Sequence, residues 1–221
     1  DFGTQEDRID YEKLYFTRFK VIYGSDRGGR LKMKDLFHGS VYDINEIDVE
    51  KGKGYKDFGK GFYATSVKSH AENIARRNKR ILEVREAKIR QRNPKYKAKV
   101  YQAYRYTLEF DDSCVENPKD LKVKVFKEAD REWVRFVLMN RNSDRNNHDY
   151  DIVIGPTADE NTVTIINAYR EELISNNYSD EILDALVKEL KPENLPKQYF
   201  FGTNHAIKML HFKKVKREVV G

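Results

Sequence analysis

The chain has 221 residues with a net charge of +6 and a pI near 9.1, a length that suits one domain or one domain with an appendage and is enough to bury a core. Hydrophobic residues make up 39% and charged residues 35%. That is the balance of a soluble globular protein with a heavily charged surface, and the absence of any long apolar run excludes a helical membrane protein.

The single cysteine, Cys114, excludes an internal disulfide and a cysteine-based zinc site. A reducing cytoplasm is the simplest setting, and no charged-then-apolar leader is visible. Cys114 lies in a turn-like stretch, Asp111-Asp112-Ser113-Cys114, with no histidine nearby, and reads as an inert thiol. The basic surplus favours polyanions, either nucleic acid or the pyrophosphate of a dinucleotide. Ordinary solubility charge is the competing reading.

In chain order, residues 1–33 read as a mixed, charged N-terminal extension, with a strand or docking segment at 15–23 and a glycine-rich loop at 24–30. Residues 34–221 read as one domain. Two short strands, at 36–40 and 57–65, flank a Gly- and Lys-rich loop at 50–56. That loop is either a mobile basic lid beside the site or a solvated hairpin loop. A long helix over 70–92 follows. Ser69-His70-Ala71-Glu72 predicts its capping box, and Ile74, Ala75, Ile81 and Leu82 predict its buried stripe.

The outer face of that helix and the tract after it are rich in Arg and Lys from Arg76 to Lys99. Tyr96, Tyr101, Tyr104 and Tyr106 sit among those charges, where they would stack on bases or belong partly to the core. Alternation predicts strands at 101–110 and 121–126. Helices are predicted at 129–141, 163–173 and 181–190, the last capped by Ser179. Short strands are predicted at 150–154, 198–201 and 211–215, with a helix capped by Thr203 between the last two. Strands and helices do not alternate regularly, so the class is α+β rather than doubly wound.

Two motifs carry the chemistry: Leu36-Phe37-His38-Gly39-Ser40 and Asp57-Phe58-Gly59-Lys60-Gly61-Phe62-Tyr63-Ala64-Thr65. A histidine and a tyrosine on neighbouring strands, with glycine backbone beside them, can grip a flat polar ring: the tyrosine supplies a stacking face and the glycines let an amide reach the main chain.

Together with Asp149-Tyr150-Asp151-Ile152-Val153-Ile154-Gly155-Pro156, Ala158-Asp159 and Gln198-Tyr199-Phe200-Phe201, these motifs resemble the mono-ADP-ribosyltransferase superfamily in its His–Tyr–Glu branch. They are similar in particular to a bacterial family of formerly unknown function with a transferase-like core, over about residues 36–212. The resemblance implies an ADP-ribosyltransferase-like split β-sheet with flanking helices, NAD as co-substrate and release of nicotinamide. It implies modification of a nucleic acid or protein by a bacterial toxin or defence effector, with an antitoxin or immunity protein as a further partner.

By the same resemblance, His38 would bond the adenosine-side ribose, the Gly39 backbone would bind the nicotinamide amide, and Tyr63 would stack on the ring. Ser40 would assist or cap the strand end, and Gly61 and Phe62 belong to the same cofactor-binding stretch. Gln198 stands where the superfamily has a glutamate, and an amide cannot serve as a base; Glu132 is a reserve acid. The Arg141 fork suits pyrophosphate oxygens, with a salt bridge as the alternative. Asp149, Asp151 and Asp159 could bind Mg²⁺, but turn capping and pairing with arginine are favoured, so no metal is expected. The glutamine also leaves open a degenerate module that binds nucleic acid or a partner, and, more weakly, NAD hydrolysis.

Overall fold

Strands whose side chains alternate between two apolar faces need cover on both sides. The chain is described here by a computed structural model that covers residues 33–118, 120–158, 160–190, 195–211 and 217–221. Among these residues eight strands form one mixed sheet: β1 (Met33–Ser40), β2 (Phe62–Thr65), β3 (Tyr104–Asp111), β4 (Val123–Val125), β5 (Ile152–Pro156), β6 (Lys197–Phe201), β7 (Leu210–His211) and β8 (Glu218–Val219). Their order is β4-β5-β6-β2-β1-β3-β7, with β8 also pairing β3. Among the described residues only β4 and β5 run parallel, so the α+β expectation holds and the sheet is not doubly wound.

The period of two sorts the core. Tyr199 and Phe201 of β6 join Ile152, Ile154, Leu36 and Phe110 on one side. Phe200 and Val153 join Trp133, Val137, Leu183 and Leu186 on the other. The second side is covered by α3 (Arg131–Arg141), α4 (Glu160–Ala168), α5 (Arg170–Ser175) and α6 (Asp180–Leu190); α2 (Ser113–Glu116) and α7 (Asn204–Ile207) are single turns. α3 starts where the Asp130 carboxylate accepts the Trp133 N–H at 2.8 Å, a side-chain N-cap. The helix predicted over 163–173 is instead two, broken at Tyr169. Thr203 caps α7 as predicted, its hydroxyl accepting the Ala206 N–H at 3.1 Å.

The long helix, α1 (Lys68–Arg92), forms without the predicted capping box. Val67 occupies the N-cap with no side-chain cap bond, and Glu72 pairs with Arg105 of β3 instead. Arg105 is also held by Glu218, so this buried guanidinium joins helix, sheet and C-terminal strand. The buried stripe holds in part: Ala75 is fully buried as predicted, with Ala71 beside it, whereas Ile81 is 57% exposed. A 25-residue helix is about 37 Å long, and only its first half is buried on the sheet. Further along, Glu86 is buried by the tract that follows, accepting from the Lys99 N–H at 2.9 Å, the Tyr96 hydroxyl at 2.8 Å and the Tyr101 hydroxyl at 3.1 Å. These bonds, the Lys99 N–H first, hold its carboxyl below the usual carboxylate range.

A further expectation changes: Asp57–Gly61 is a turn rather than strand, and β2 begins only at Phe62. The sheet has a seam: β1 and β3 register over eight residue pairs, but β1 and β2 meet at one, Phe37↔Thr65. The N-terminal extension apart from Met33, Asp159, and all but His211 of the strand predicted at 211–215 lie outside the described residues.

α1 can approach the seam because residue 39 has no side chain. A Cβ there would stand 1.9 Å from the Ala71 carbonyl oxygen and 3.0 Å from the Ala75 nitrogen, both backbone atoms of α1. Gly39→Ala therefore has to push the helix off the sheet and should destabilise by about 1–3 kcal/mol. Urea unfolding of the two proteins measures this, and equal midpoints would disprove the contact.

Candidate functional site at the sheet seam

Beyond Phe37↔Thr65 the β1–β2 pairing stops, and a cavity of about 110 Å³ opens there. His38 and Gly39 of β1 face Tyr63 and Ala64 of β2, α1 closes one side with Ala71 and Ile74, and Thr157 and Gln198 close another. The volume admits one small planar ring and is below that of a pocket enclosing a whole drug-sized ligand.

His38 bridges the seam. Its Nδ1 lies 2.6 Å from the Tyr63 carbonyl oxygen. A carbonyl only accepts, so Nδ1 carries the hydrogen and Nε2 is left as an acceptor. Burial lowers the His38 pKa below 6.5 against the opposing pull of that carbonyl, so the ring is neutral at pH 7. Phe62 packs on it with centroids 4.6 Å apart.

Tyr63 has its hydroxyl occupied: it donates to the Gly59 carbonyl at 2.6 Å and accepts the Phe58 N–H at 3.1 Å. Burial, then the nearby Asp57 charge, raises its pKa well above 10.0. The ring, not the hydroxyl, is what Tyr63 offers to the cavity.

The turn it holds needs glycine at position 59, where φ is +90°. Asn146 clasps the same turn, accepting the Lys60 N–H at 2.5 Å and donating to the Lys60 carbonyl at 3.0 Å. His148 adds a bond from Nε2 to the Phe58 carbonyl at 2.8 Å while its Nδ1 accepts the Tyr150 N–H. Burial also lowers the His148 pKa.

Gln198 is buried and its amide is committed. Nε2 donates to Asp57 Oδ2 at 2.7 Å and to the Pro156 carbonyl at 3.2 Å. Both partners only accept, so the orientation is settled and Oε1 remains for the cavity. Asp57 is 4% exposed. Its Oδ2 also accepts the Ala158 N–H at 2.9 Å, and its Oδ1 lies 2.7 Å from Arg141 Nε and 2.6 Å from Nη2.

Of the residues singled out in the sequence, the cavity brings together His38, Gly39, Tyr63 and Gln198, but not Ser40, Gly61, Phe62 or Arg141. Arg141 is taken by Asp57, the salt-bridge reading, and not free to grip a pyrophosphate. Ser40 caps the strand end, its hydroxyl accepting the Tyr42 N–H at 3.0 Å. Gly61 packs against the Phe200 ring. Glu132 is exposed and paired with Lys124, away from the cavity.

The 50–56 loop is no free lid: Gly52 touches the Gly61 backbone, Gly54 touches the Asp144 backbone, and the Tyr55 N–H reaches the Ser143 carbonyl at 2.9 Å. Asp149 pairs with Lys122, and Asp151 takes the Lys122 N–H and the Thr203 hydroxyl. Among the described residues no group of three or more His, Cys, Asp or Glu could hold a metal. Cys114 is buried, and burial pushes its thiol up to about 12.

Of the tyrosines expected to stack on bases, Tyr106 is 2% exposed with its hydroxyl donating to the Tyr42 carbonyl, and Arg217 covers the Tyr104 ring. The Tyr96 and Tyr101 hydroxyls serve Glu86 and their rings are half-buried.

Several site residues escaped the sequence reading, among them His70, which lines the cavity from α1. Asp57 opens the second motif, and an acid ahead of Phe-Gly in an apolar stretch was its only signal. Thr157 lines the cavity and its hydroxyl is buried without a partner; its one cue was its place directly after the buried strand.

Over residues 34–212 the chain matches the family described as a protein of unknown function, DUF3990. It belongs to that family. The DUF3990 span contains every residue that lines the cavity. No curated protein and no solved structure matches the chain. No described helix is long and apolar enough to cross a membrane.

Two outcomes follow from this geometry. His38 and His148 have lowered folded-state pKa values, so below about 6.5 the unfolded chain binds more protons than the folded one. Stability is then full above that pH and falls as pH drops through it. Urea midpoints should be lower at about pH 5.5 than at about pH 7.5, and His148→Gln should shrink the difference. Tyr63→Phe keeps the ring but strands the Phe58 N–H and the Gly59 carbonyl. It should cost about 1–3 kcal/mol of stability by the same measurement, with ring ligands still bound.

Proposed function

We propose that this chain is an NAD-dependent ADP-ribosyltransferase. It would move the ADP-ribosyl group to a nucleic acid or protein and release nicotinamide, as a bacterial toxin or defence effector acting in the cytoplasm. The observation that carries the reading is the seam cavity, where His38, Gly39, Tyr63 and Gln198, drawn from three strands, line one ring-sized space. A neutral histidine acceptor, an aromatic face and a fixed amide oxygen suit a ring that carries hydrogen-bond donors. No lysine or arginine is among the described lining residues, which suits a leaving ring that becomes neutral. The single-pair seam is the feature of the sheet that supports a transferase-like split fold.

In the reaction the bond from ribose C1′ to the nicotinamide nitrogen breaks, and its electron pair goes to the ring. Positive charge develops at C1′, a nucleophile of the acceptor bonds to C1′ from the opposite face, and that nucleophile loses its proton to solvent. The protein's part is to hold the ring and ribose in line and to stabilise the developing charge. Tyr63 would stack on the ring, the Gly39 main chain would take its amide, and His38 Nε2 and Gln198 Oε1 would accept from ribose hydroxyls.

A second reading is a binding module with a degenerate cavity. That no carboxylate is among the described lining residues favours it, as do the exposed cations Arg80, Arg85, Lys88, Arg90 and Arg92 on the outer half of α1. A polyanion held there would be lost steeply with salt and without need of NAD.

The test is incubation with labelled NAD and cell lysate, followed by protease or nuclease. His38→Ala and Tyr63→Ala should each lower nicotinamide release on the order of 100-fold while circular dichroism stays unchanged. Full activity in both variants, or no NAD binding by the wild type, would refute the transferase.

A further inference from the structure

No carboxylate is among the described residues of the cavity wall, but one stands directly behind it. Asp57 reaches the cavity through Gln198 alone: its Oδ2 takes the Gln198 Nε2–H at 2.7 Å, while Oδ1 is turned to Arg141. The second Nε2 hydrogen goes to Pro156. An amide whose two hydrogens are held by a carboxylate and a carbonyl cannot rotate, and its oxygen is the one atom of the amide left to the cavity. Hydrogen bonding from the amide N–H to a charged acceptor in a buried site polarises the amide toward its oxygen.

We infer that Asp57 is a positioning residue for the cavity. It locks the Gln198 amide with Oε1 inward and delivers its negative charge to that oxygen, so that a glutamine can stabilise a cation developing in the cavity. This rests on the NAD reading for its chemistry, though the lock itself does not. It explains why glutamine occupies position 198. A glutamate there would set a second carboxylate against Asp57 Oδ2 and the Pro156 carbonyl, three acceptor oxygens with no proton between them, and like charges at hydrogen-bond distance disfavour one another. Arg141 takes the far oxygen of Asp57, and the Ala158 N–H shares Oδ2 with Gln198, so both keep its charge in place without reaching the cavity.

The inference makes position 198 behave oppositely to what a missing catalytic glutamate predicts. Q198E, which restores the acid of the resembled superfamily, should lower nicotinamide release on the order of 100-fold. D57N should lower kcat on the order of 10-fold to 100-fold while the KM for NAD moves little, because the relayed charge acts on the transition state.

The double variant D57N/Q198E exchanges acid and amide. The introduced carboxylate accepts from the introduced amide, so the double variant should recover activity over both single variants. Q198E that matches or exceeds the wild type, or a double variant no better than the worse single, would overturn the inference.

The lock has a readout that needs no NAD. The Gln198 side-chain NH₂ resonances, assigned by their loss in Q198E, should be protected from exchange in the wild type and exposed in D57N. Equal exchange in the two would overturn the lock. Protection lost in D57N together with a wild type that binds no NAD would uphold the lock and refute the transferase reading instead.

Discussion

The site depends on one buried charge. Asp57 lies 4% exposed, and a carboxylate in such a place is tolerable only when its oxygens are bonded and its charge is paired. Arg141 comes from the end of α3, the Ala158 N–H from the exit of β5, and the Gln198 amide from β6. Each belongs to a different element, so satisfying one carboxylate sets three elements against the turn at 57–61. Removing either partner of such a pair leaves the other buried and unpaired, on the order of 3–5 kcal/mol, which ties the geometry of the cavity to the stability of the chain.

The second constraint is the seam. Between β1 and β3 the ladder runs over eight pairs, whereas between β1 and β2 it is a single pair. A sheet left open in its middle would expose backbone polar groups. Here the opening is spanned by the His38 Nδ1–H on the Tyr63 carbonyl, a side chain doing what a ladder bond does elsewhere. The same bond selects the tautomer and thereby makes Nε2 an acceptor. Gly39, Ala71 and Ala75 then let α1 lie close enough to roof the space. Tyr63 cannot swing away, because its hydroxyl is bonded to the turn that carries Asp57.

α1 has two natures in one rigid rod. Its first half buries alanines on the sheet and walls the cavity. Its second half outruns the sheet, buries Glu86 under residues 96–101, and leaves arginines and lysines facing solvent. The polar groups inside the cavity and the cations on the arm are thus separated along one helix, which is why charge composition alone does not describe the site.

The amino-acid sequence determined the parts whose signal is local. Period-two alternation marked β3 and β4; a short apolar run ended by Gly155-Pro156 marked β5; the Thr203 cap marked the start of α7; and His38 and Tyr63 stood out because a histidine and a tyrosine beside glycines in apolar strands are unusual chemistry. Only the tertiary structure decided what depended on partners far along the chain. Glu72 read as a capping glutamate because Ser69 stood three residues before it, but Arg105, 33 residues later, took it instead. Ile81 had the right spacing for burial, yet spacing does not reveal where the sheet beneath a helix ends. Arg141 had the right fork for a phosphate, and Asp57, 84 residues away, claimed it. Asp57 itself was in plain view, but a carboxylate announces its role only through the donors around it, and those arrive from positions 141, 158 and 198 when the chain folds.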